Sequence, residues 1–244
     1  MIENVRPIKR FIYLFLFAMI NSTAEAAVSI DRTRVIVYAD DNSSPVNVIN
    51  HSKKLPYLVQ TWLENEKEEK INSPLTALPP LQRVEKDTTV QVRIVPLPEA
   101  AKLPQDRESL FYFNLQEIPP KSDKQNAIQF ALRLKIKLFY RPTELKALAE
   151  NVWQEKLELI PSAQGLKLVN PTPFYIVIPV IISDKTSLLA EDESVTLKPK
   201  SDELLPNIKP KSQKIQVQYI NDYGAYVKLD YTCTVTVCTK DKTK

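Results

Sequence analysis

Glycine is nearly missing from this chain: Gly165 and Gly224 are the whole complement in 244 residues, against 19 prolines. An average domain holds about 7% glycine. So sparse a supply excludes a glycine-rich phosphate cradle, and with it nucleotide-binding loops, and it leaves the turns to Pro, Asn and Asp. Histidine occurs once, as His51 in the polar run NHSKK at 50–54, which reads as a solvated turn. One loop histidine makes neither a Ser-His-Asp nor a Cys-His constellation, and no metal or other cofactor is expected. Cysteine occurs twice, as Cys233 and Cys238 in a strand-like stretch. That spacing is looser than a C-x-x-C redox pair; in an oxidising compartment it reads as a structural disulfide closing a terminal hairpin. Paired carboxylates are another route to catalysis. Glu64, Glu66, Glu68 and Glu69 crowd into one highly charged turn, however, which reads as a solvated loop, and no enzyme is expected. There is no block of Lys and Arg with interleaved aromatics of the kind that grips nucleic acid; the tail with Lys240, Lys242 and Lys244 reads as a solvated terminus. Long apolar runs are also lacking. The unbroken stretch FIYLFLFAMI at 11–20 spans only about 15 Å as a helix, roughly half a bilayer core, and no later stretch is apolar enough to insert the mature chain in a membrane.

That short run is informative for where it lies. Arg6, Lys9 and Arg10 precede it, and Ala24-Glu25-Ala26 follows with small residues at the positions a signal peptidase reads. Residues 1–26 are therefore expected to be a signal peptide, cleaved after Ala26. Removing them leaves 218 residues and lowers the formal net charge from +4 to +3. The remainder is a series of short alternating or β-branched runs bounded by Pro, Asn, Asp and Ser. Strands are expected over 28–38, 45–50, 57–64, 89–95, 109–117 and 127–140, then over 156–160, 166–169, 175–182, 194–197, 214–220 and 227–233. Helical periodicity is absent apart from a turn or two over 144–150. Repeated strands without intervening helices imply antiparallel sheets, and the length suits two immunoglobulin-like β-sandwiches of about 100 residues. The expected boundary follows Arg141-Pro142, giving an all-β chain with domains over 27–142 and 143–244.

The segment NAIQFALRLKIKLFY at 126–140 is the most unusual. Ile128, Phe130, Leu132, Leu134, Ile136 and Leu138 fall on one face; Gln129, Ala131, Arg133, Lys135 and Lys137 fall on the other. Strands seldom exceed about ten residues. The later half is expected to be core of its own domain, and the earlier half to offer large side chains on an exposed edge. Such an edge invites association unless a partner covers it, which makes it a candidate for adding a strand to another protein's sheet.

LPQDRESLFYFNLQEIPP at 103–120 resembles the signature of the pilus-assembly chaperones of the chaperone/usher pathway. VSIDRTR at 28–34, LPYL at 55–58, KIKLFYRP at 135–142, NPTPFY at 170–175 and YINDYG at 219–224 extend the likeness across the mature chain. The short segment PKSDKQNA at 120–127 and the lack of cysteine in the first domain resemble the short-loop, P-pilus branch; Leu78 stands where that branch is expected to have Thr, before Pro79 and Pro80, one of whose bonds is a candidate for cis. The resemblance implies a periplasmic chaperone, L-shaped or boomerang-like with a cleft between its domains, that folds and caps pilus subunits by donating a strand and delivers them to an outer-membrane usher. It implies that Arg34 and Lys137 clamp a subunit's C-terminal carboxylate, that Ile128, Phe130 and Leu132 enter the subunit's groove, and that Glu108, Arg141 and Asp222 join the domains. A self-capping homodimer of the free chaperone is a further expectation. A secreted immunoglobulin-like binding or adhesin module would account for fold and compartment, but not for Arg34 and Lys137 in their motifs.

Overall fold

The computed structural model describes residues 27–122, 126, 128–206, 208 and 213–241; the expected signal peptide lies outside them. In the first half, one sheet orders the strands Val28–Ile30, Ser44–Asn50, Thr89–Pro96 and Leu75–Leu78. The other orders Arg34–Tyr38, Arg133–Arg141, Ser109–Ile118, Tyr57–Glu64 and Lys70–Ile71, with Leu81–Val84 also on Tyr57–Glu64. Period-two alternation builds the core between them: Val46, Val48 and Ile94 from the first sheet meet Val35, Phe113 and Leu138 from the second. The second half repeats the plan. Glu158–Ser162, Gly165–Asn170 and Ser201–Pro206 form one sheet; Thr186–Ser187, Ile176–Ser183, Lys214–Ile220, Tyr226–Cys233 and Cys238–Lys240 form the other, with Val195–Leu197 on Ile176–Ser183. Leu159, Leu166, Leu168, Ile178 and Val217 fill its core. The chain is all-β with two immunoglobulin-like sandwiches. Only short turns of helix link them: 3-10 at Thr143–Leu145, α at Lys146–Ala149 and 3-10 at Trp153–Lys156. Among the described residues, no helix is long and apolar enough to cross a membrane.

Several strands differ from the sequence expectation for local reasons. The run 28–38 divides at Asp31–Thr33, so that Val28–Ile30 joins one sheet and Arg34–Tyr38 the other. The strand expected from 156 starts at Glu158, because Trp153–Lys156 is wound as 3-10 helix. Leu75–Leu78, Leu81–Val84 and Ser201–Pro206 carry proline or polar residues that hide their periodicity, and Lys240 is a strand residue whose Nζ bonds Glu155, not part of a free tail. Ser73–Pro74 and Leu78–Pro79 are cis.

The shortage of glycine is met by asparagine. Side-chain Oδ1 atoms accept backbone N–H bonds from Ser52 at Asn50, from Lys67 and Glu69 at Asn65, from Thr172 at Asn170, and from Tyr223 and Ala225 at Asn221. Such bonds hold a turn in place of a glycine, and at Asn65 the turn carries Glu68 at a φ of 65°. Gly224 is where nothing else serves: its φ is +83°, and a Cβ there would run into the Thr33 hydroxyl of the other domain. A small apolar cluster, Leu110 and Phe139 against Val177, also joins the halves, with Phe139 and Tyr175 ring centroids 5.5 Å apart.

Cys233 and Cys238 are bonded to each other, closing the hairpin of Tyr226–Cys233 and Cys238–Lys240. Replacing both by serine should lower unfolding free energy by about 2 kcal/mol, the small value that so short a loop allows. Denaturant titration of parent and variant in non-reducing buffer checks this, and subunit capture by the folded variant should be unchanged. A variant as stable as the parent yet unable to capture would make the cysteines functional instead.

Candidate functional site

The strand Arg133–Arg141 organises the site. On one side it pairs antiparallel with Ser109–Ile118, from Arg133 opposite Gln116 to Tyr140 opposite Ser109. On the other it is covered only from Lys137 onward, where Arg34–Tyr38 lies parallel with Arg34 opposite Lys137. Residues 133–136 therefore keep one edge with no neighbouring strand among the described residues. Before Arg133 the chain leaves the ladder, although the partner strand runs on to Ile118 in its pairing with Tyr57–Glu64; the last link is the Glu117 N–H donating to the Leu132 carbonyl at 3.0 Å. The strand expected from residue 127 thus begins at Arg133, and Ala127 itself lies outside the described residues. Ile128, Phe130 and Leu132 are 86%, 78% and 46% exposed, whereas Leu134 and Ile136 pack against the core and Leu138 is buried. The two halves of the alternating run face different surroundings.

Arg34 and Lys137 meet where this open edge ends. Both line a cleft of about 590 Å³ between the domains, with Val177, Pro179, Ile220 and Tyr226 on the opposite wall. Arg34 is buried; its Nη1 donates to the Ile220 carbonyl at 3.1 Å, while its Nε–H has no acceptor among the described residues. Lys137 has no ion pair among the described residues. Burial pulls both side chains below their ordinary pKa ranges; Asp222 and Glu108 oppose this at Arg34, whereas Arg34 and Lys135 press Lys137 further down. Two incompletely compensated cations at the mouth of a half-buried cleft are suited to a carboxylate, which would restore the counter-charge that water no longer supplies.

Glu108, Arg141 and Asp222 form one contact across the domain junction. Arg141, 1% exposed, donates from Nε to Glu108 Oε1 at 2.8 Å and from Nη1 to Asp222 Oδ2 at 2.8 Å. Glu108 Oε2 accepts from the Tyr175 N–H at 2.8 Å, and its own N–H donates to the Pro173 carbonyl. The Trp153 and Phe174 rings lie 5.1 and 5.0 Å from the guanidinium. One guanidinium thus serves two carboxylates from different domains. Burial pushes the Glu108 carboxyl up to about 7, against the pull of Arg141.

Glu64 corrects the expectation of a solvated acidic turn. It ends the strand Tyr57–Glu64 and is buried, because Trp62, Arg133 and Lys135 cover it. Its Oε1 accepts from Trp62 Nε1 at 2.9 Å and from Arg133 Nη2 at 2.5 Å, and its Oε2 lies 2.9 Å from Lys135 Nζ. Burial opposes its charge, but the bonds from Trp62 and Lys135 and the Arg133 charge win and hold the carboxyl below its ordinary range. Glu66, Glu68 and Glu69 are exposed as expected. Alternation puts Glu64 on the outward face with exposed Leu58 and Gln60, so no local signal separates it from those three glutamates; its cover is supplied by Arg133 and Lys135 from a distant strand.

Two immunoglobulin-like sandwiches, joined so that a basic pair stands at one end of a strand edge that no described strand covers, define a two-domain protein with a basic cleft at its junction. Residues 27–146 match the family described as "Pili and flagellar-assembly chaperone, PapD N-terminal domain", and residues 152–231 match "Pili assembly chaperone PapD, C-terminal domain". The chain belongs to this pilus-assembly chaperone family. It is 44% identical over 225 residues to the chaperone protein PapD of Escherichia coli, covering 91% of this chain and 93% of that one. To YfcS of Escherichia coli strain K12, described as a probable fimbrial chaperone, it is 42% identical, covering 93% and 91%. Among solved structures, the Salmonella enterica SafA pilin in complex with the SafB chaperone matches with a TM-score of 0.73 at 26% identity, covering 87% of this chain and 99% of that one.

Proposed function

We propose that this protein is a periplasmic chaperone that completes the sheet of a pilus subunit with its own edge strand. The family to which it belongs is one of chaperones, not of enzymes, and a relative of the same fold is solved with a pilin. The observation that carries the reading is the edge at 133–136, open on one side, running back into exposed Ile128, Phe130 and Leu132 and ending at Arg34 and Lys137. That arrangement has a polarity. A subunit strand whose C-terminal carboxylate sits on the cations extends back along the edge toward residue 128, so its N-to-C direction is that of Arg133–Arg141. It adds parallel. The distance from Lys137 back to Phe130 is about 23 Å at strand rise, so the bound subunit segment has eight or more residues. Ile128, Phe130 and Leu132 fill the groove of the unfinished subunit, and Glu108, Arg141 and Asp222 hold the two walls of the cleft in one relation. Export by a signal peptide cleaved after Ala26, hand-over of loaded subunits to an outer-membrane usher, and self-capping of the free edge by a homodimer belong to the same proposal.

The basic pair supplies the test. Lys137→Ala removes a cation without orphaning any partner among the described residues, so the chaperone should melt as the parent does. Its affinity for a subunit should fall tenfold or more, since a charge-assisted bond contributes about 1.5–3 kcal/mol and each 1.4 kcal/mol is a decade. Arg34→Ala should lose as much affinity and also some stability, because it strands the Ile220 carbonyl. Co-purification of subunits from the periplasm reads both out. Unchanged subunit yield in both variants would remove the carboxylate clamp from the proposal.

A further inference from the structure

The outward face of Arg133–Arg141 presents three cations in a row, Arg133, Lys135 and Lys137, at intervals of about 7 Å. Two are engaged by carboxylates and one is not. Glu64 takes Arg133 on Oε1 and Lys135 on Oε2, and Glu68 adds a second contact to Lys135 at 2.9 Å. Arg133 is further held by Asn114 Oδ1 at 2.8 Å and lies over the Trp62 ring; Lys135 lies over Tyr112, 4.5 Å from the ring centroid. Lys137, next in the row, has no carboxylate partner among the described residues.

A strand added beside residues 133–136 faces a choice of register. A slip by one residue turns its side chains to the wrong face, but a slip by two restores them. Alternation alone therefore does not forbid the slip, and in the slipped pairing a C-terminal carboxylate lands at Lys135 in place of Lys137. We infer that Glu64, seconded by Glu68, is the register-determining residue of this edge: it neutralises Arg133 and Lys135, so that among the described residues of the row only Lys137, with Arg34 beside it, offers a chain-terminal carboxylate positive charge that no ion pair has taken up. This rests on the strand-addition reading above. Glu64 touches no bound strand in this role. It acts through the cations it occupies, as a positioning residue.

The test traps register directly. Ala131→Cys places a thiol on the exposed part of the edge, with Cys233 and Cys238 left bonded to each other. The probes are synthetic peptides about twelve residues long, alternating valine and threonine, with a free C-terminal carboxylate and one cysteine moved along successive positions. On the Ala131→Cys protein the trapped cysteine should lie about six residues before the peptide's end, matching the separation of Ala131 from Lys137. Adding Glu64→Gln and Glu68→Gln, which keep hydrogen-bonding shape and remove charge, should raise trapping four residues before the end by about tenfold or more, the change that one freed charge-assisted contact gives. Adding Lys135→Met to that variant should abolish the new product. A merely structural Glu64 would alter the melt and leave the trapped position unchanged; that outcome in a folded variant overturns the inference. Where the glutamine pair does not fold, Lys137→Met makes the complementary measurement: Lys135 stays engaged, so no slipped product forms, and its appearance there overturns the inference too. Failure of the starting protein to trap any peptide, or equal trapping of C-terminally amidated peptides, would instead overturn the strand-addition and clamp readings on which it stands.

Discussion

Arg141→Ala should be the most destabilising single substitution in the site, lowering unfolding free energy by about 3–5 kcal/mol, the range for removing one partner of a buried ion pair. The side chain is fully enclosed and lies against the Trp153 and Phe174 rings. Its loss leaves Glu108 in the interior with only the Tyr175 N–H for company, and Asp222 without its cation. The size of the loss should depend on pH, with a definite sign. Burial raises the folded pKa of Glu108 to about 7, above an unfolded value near 4.5, so between those limits the folded state holds a proton that the unfolded state has released. This carboxyl's contribution to stability is therefore complete below about pH 4.5 and falls as pH rises toward 7. A protonated Glu108 needs no cation, whereas an ionised one does. Denaturant unfolding of parent and variant should accordingly show a smaller difference at pH 5 than at pH 8. A difference independent of pH would assign the loss to packing around the guanidinium and not to its charge.

Phe130→Asp should produce the largest loss of subunit binding, with almost no change in the chaperone alone. Phe130 is 78% exposed, so the isolated protein gives up little buried area when it goes, and its melting temperature should stay within a degree or two of the parent. In the proposed complex the same position fills a subunit pocket. Removing the ring forfeits about 1.5–3 kcal/mol of burial, and the aspartate adds the several kcal/mol that a desolvated, unpaired carboxylate costs. Together these amount to a loss of affinity of at least about a thousandfold. Thermal melting and subunit capture, measured side by side, decide the matter. A collapsed melt would return Phe130 to the chaperone's own core, and normal capture by a folded variant would remove it from the donated strand.

Much of this architecture is written in strand periodicity, which reports which face of a strand is buried and says little about what lies beside its edge. Tyr57–Glu64 and Lys214–Ile220 run between the residues expected from alternation, because each has a buried face throughout. The same signal carried the strand at 127–140 too far back. Ile128, Phe130 and Leu132 continue the pattern of Leu134, Ile136 and Leu138, but pairing with Ser109–Ile118 stops at Arg133 opposite Gln116 and the earlier trio is left outside. Local sequence has no access to where pairing with a distant strand stops. Glu64 was illegible for a related reason: three exposed glutamates follow within five residues, and its burial comes from Arg133 and Lys135, some seventy residues away in sequence. The positions of Arg34 and Lys137 relative to one another were likewise unreadable from periodicity. Only the parallel pairing of Arg34–Tyr38 with the later strand brings them to one end of the edge.

The bond from Arg34 Nη1 to the Ile220 carbonyl makes the aim of the arginine a property of both domains at once, although the two residues are 186 apart in sequence. On the proposed clamp reading, a first domain without the second keeps the open edge and both cations, but the guanidinium loses that acceptor and the cleft loses the wall of Val177, Pro179, Ile220 and Tyr226. The clamp is then a composite of the two sandwiches, and neither carries it alone.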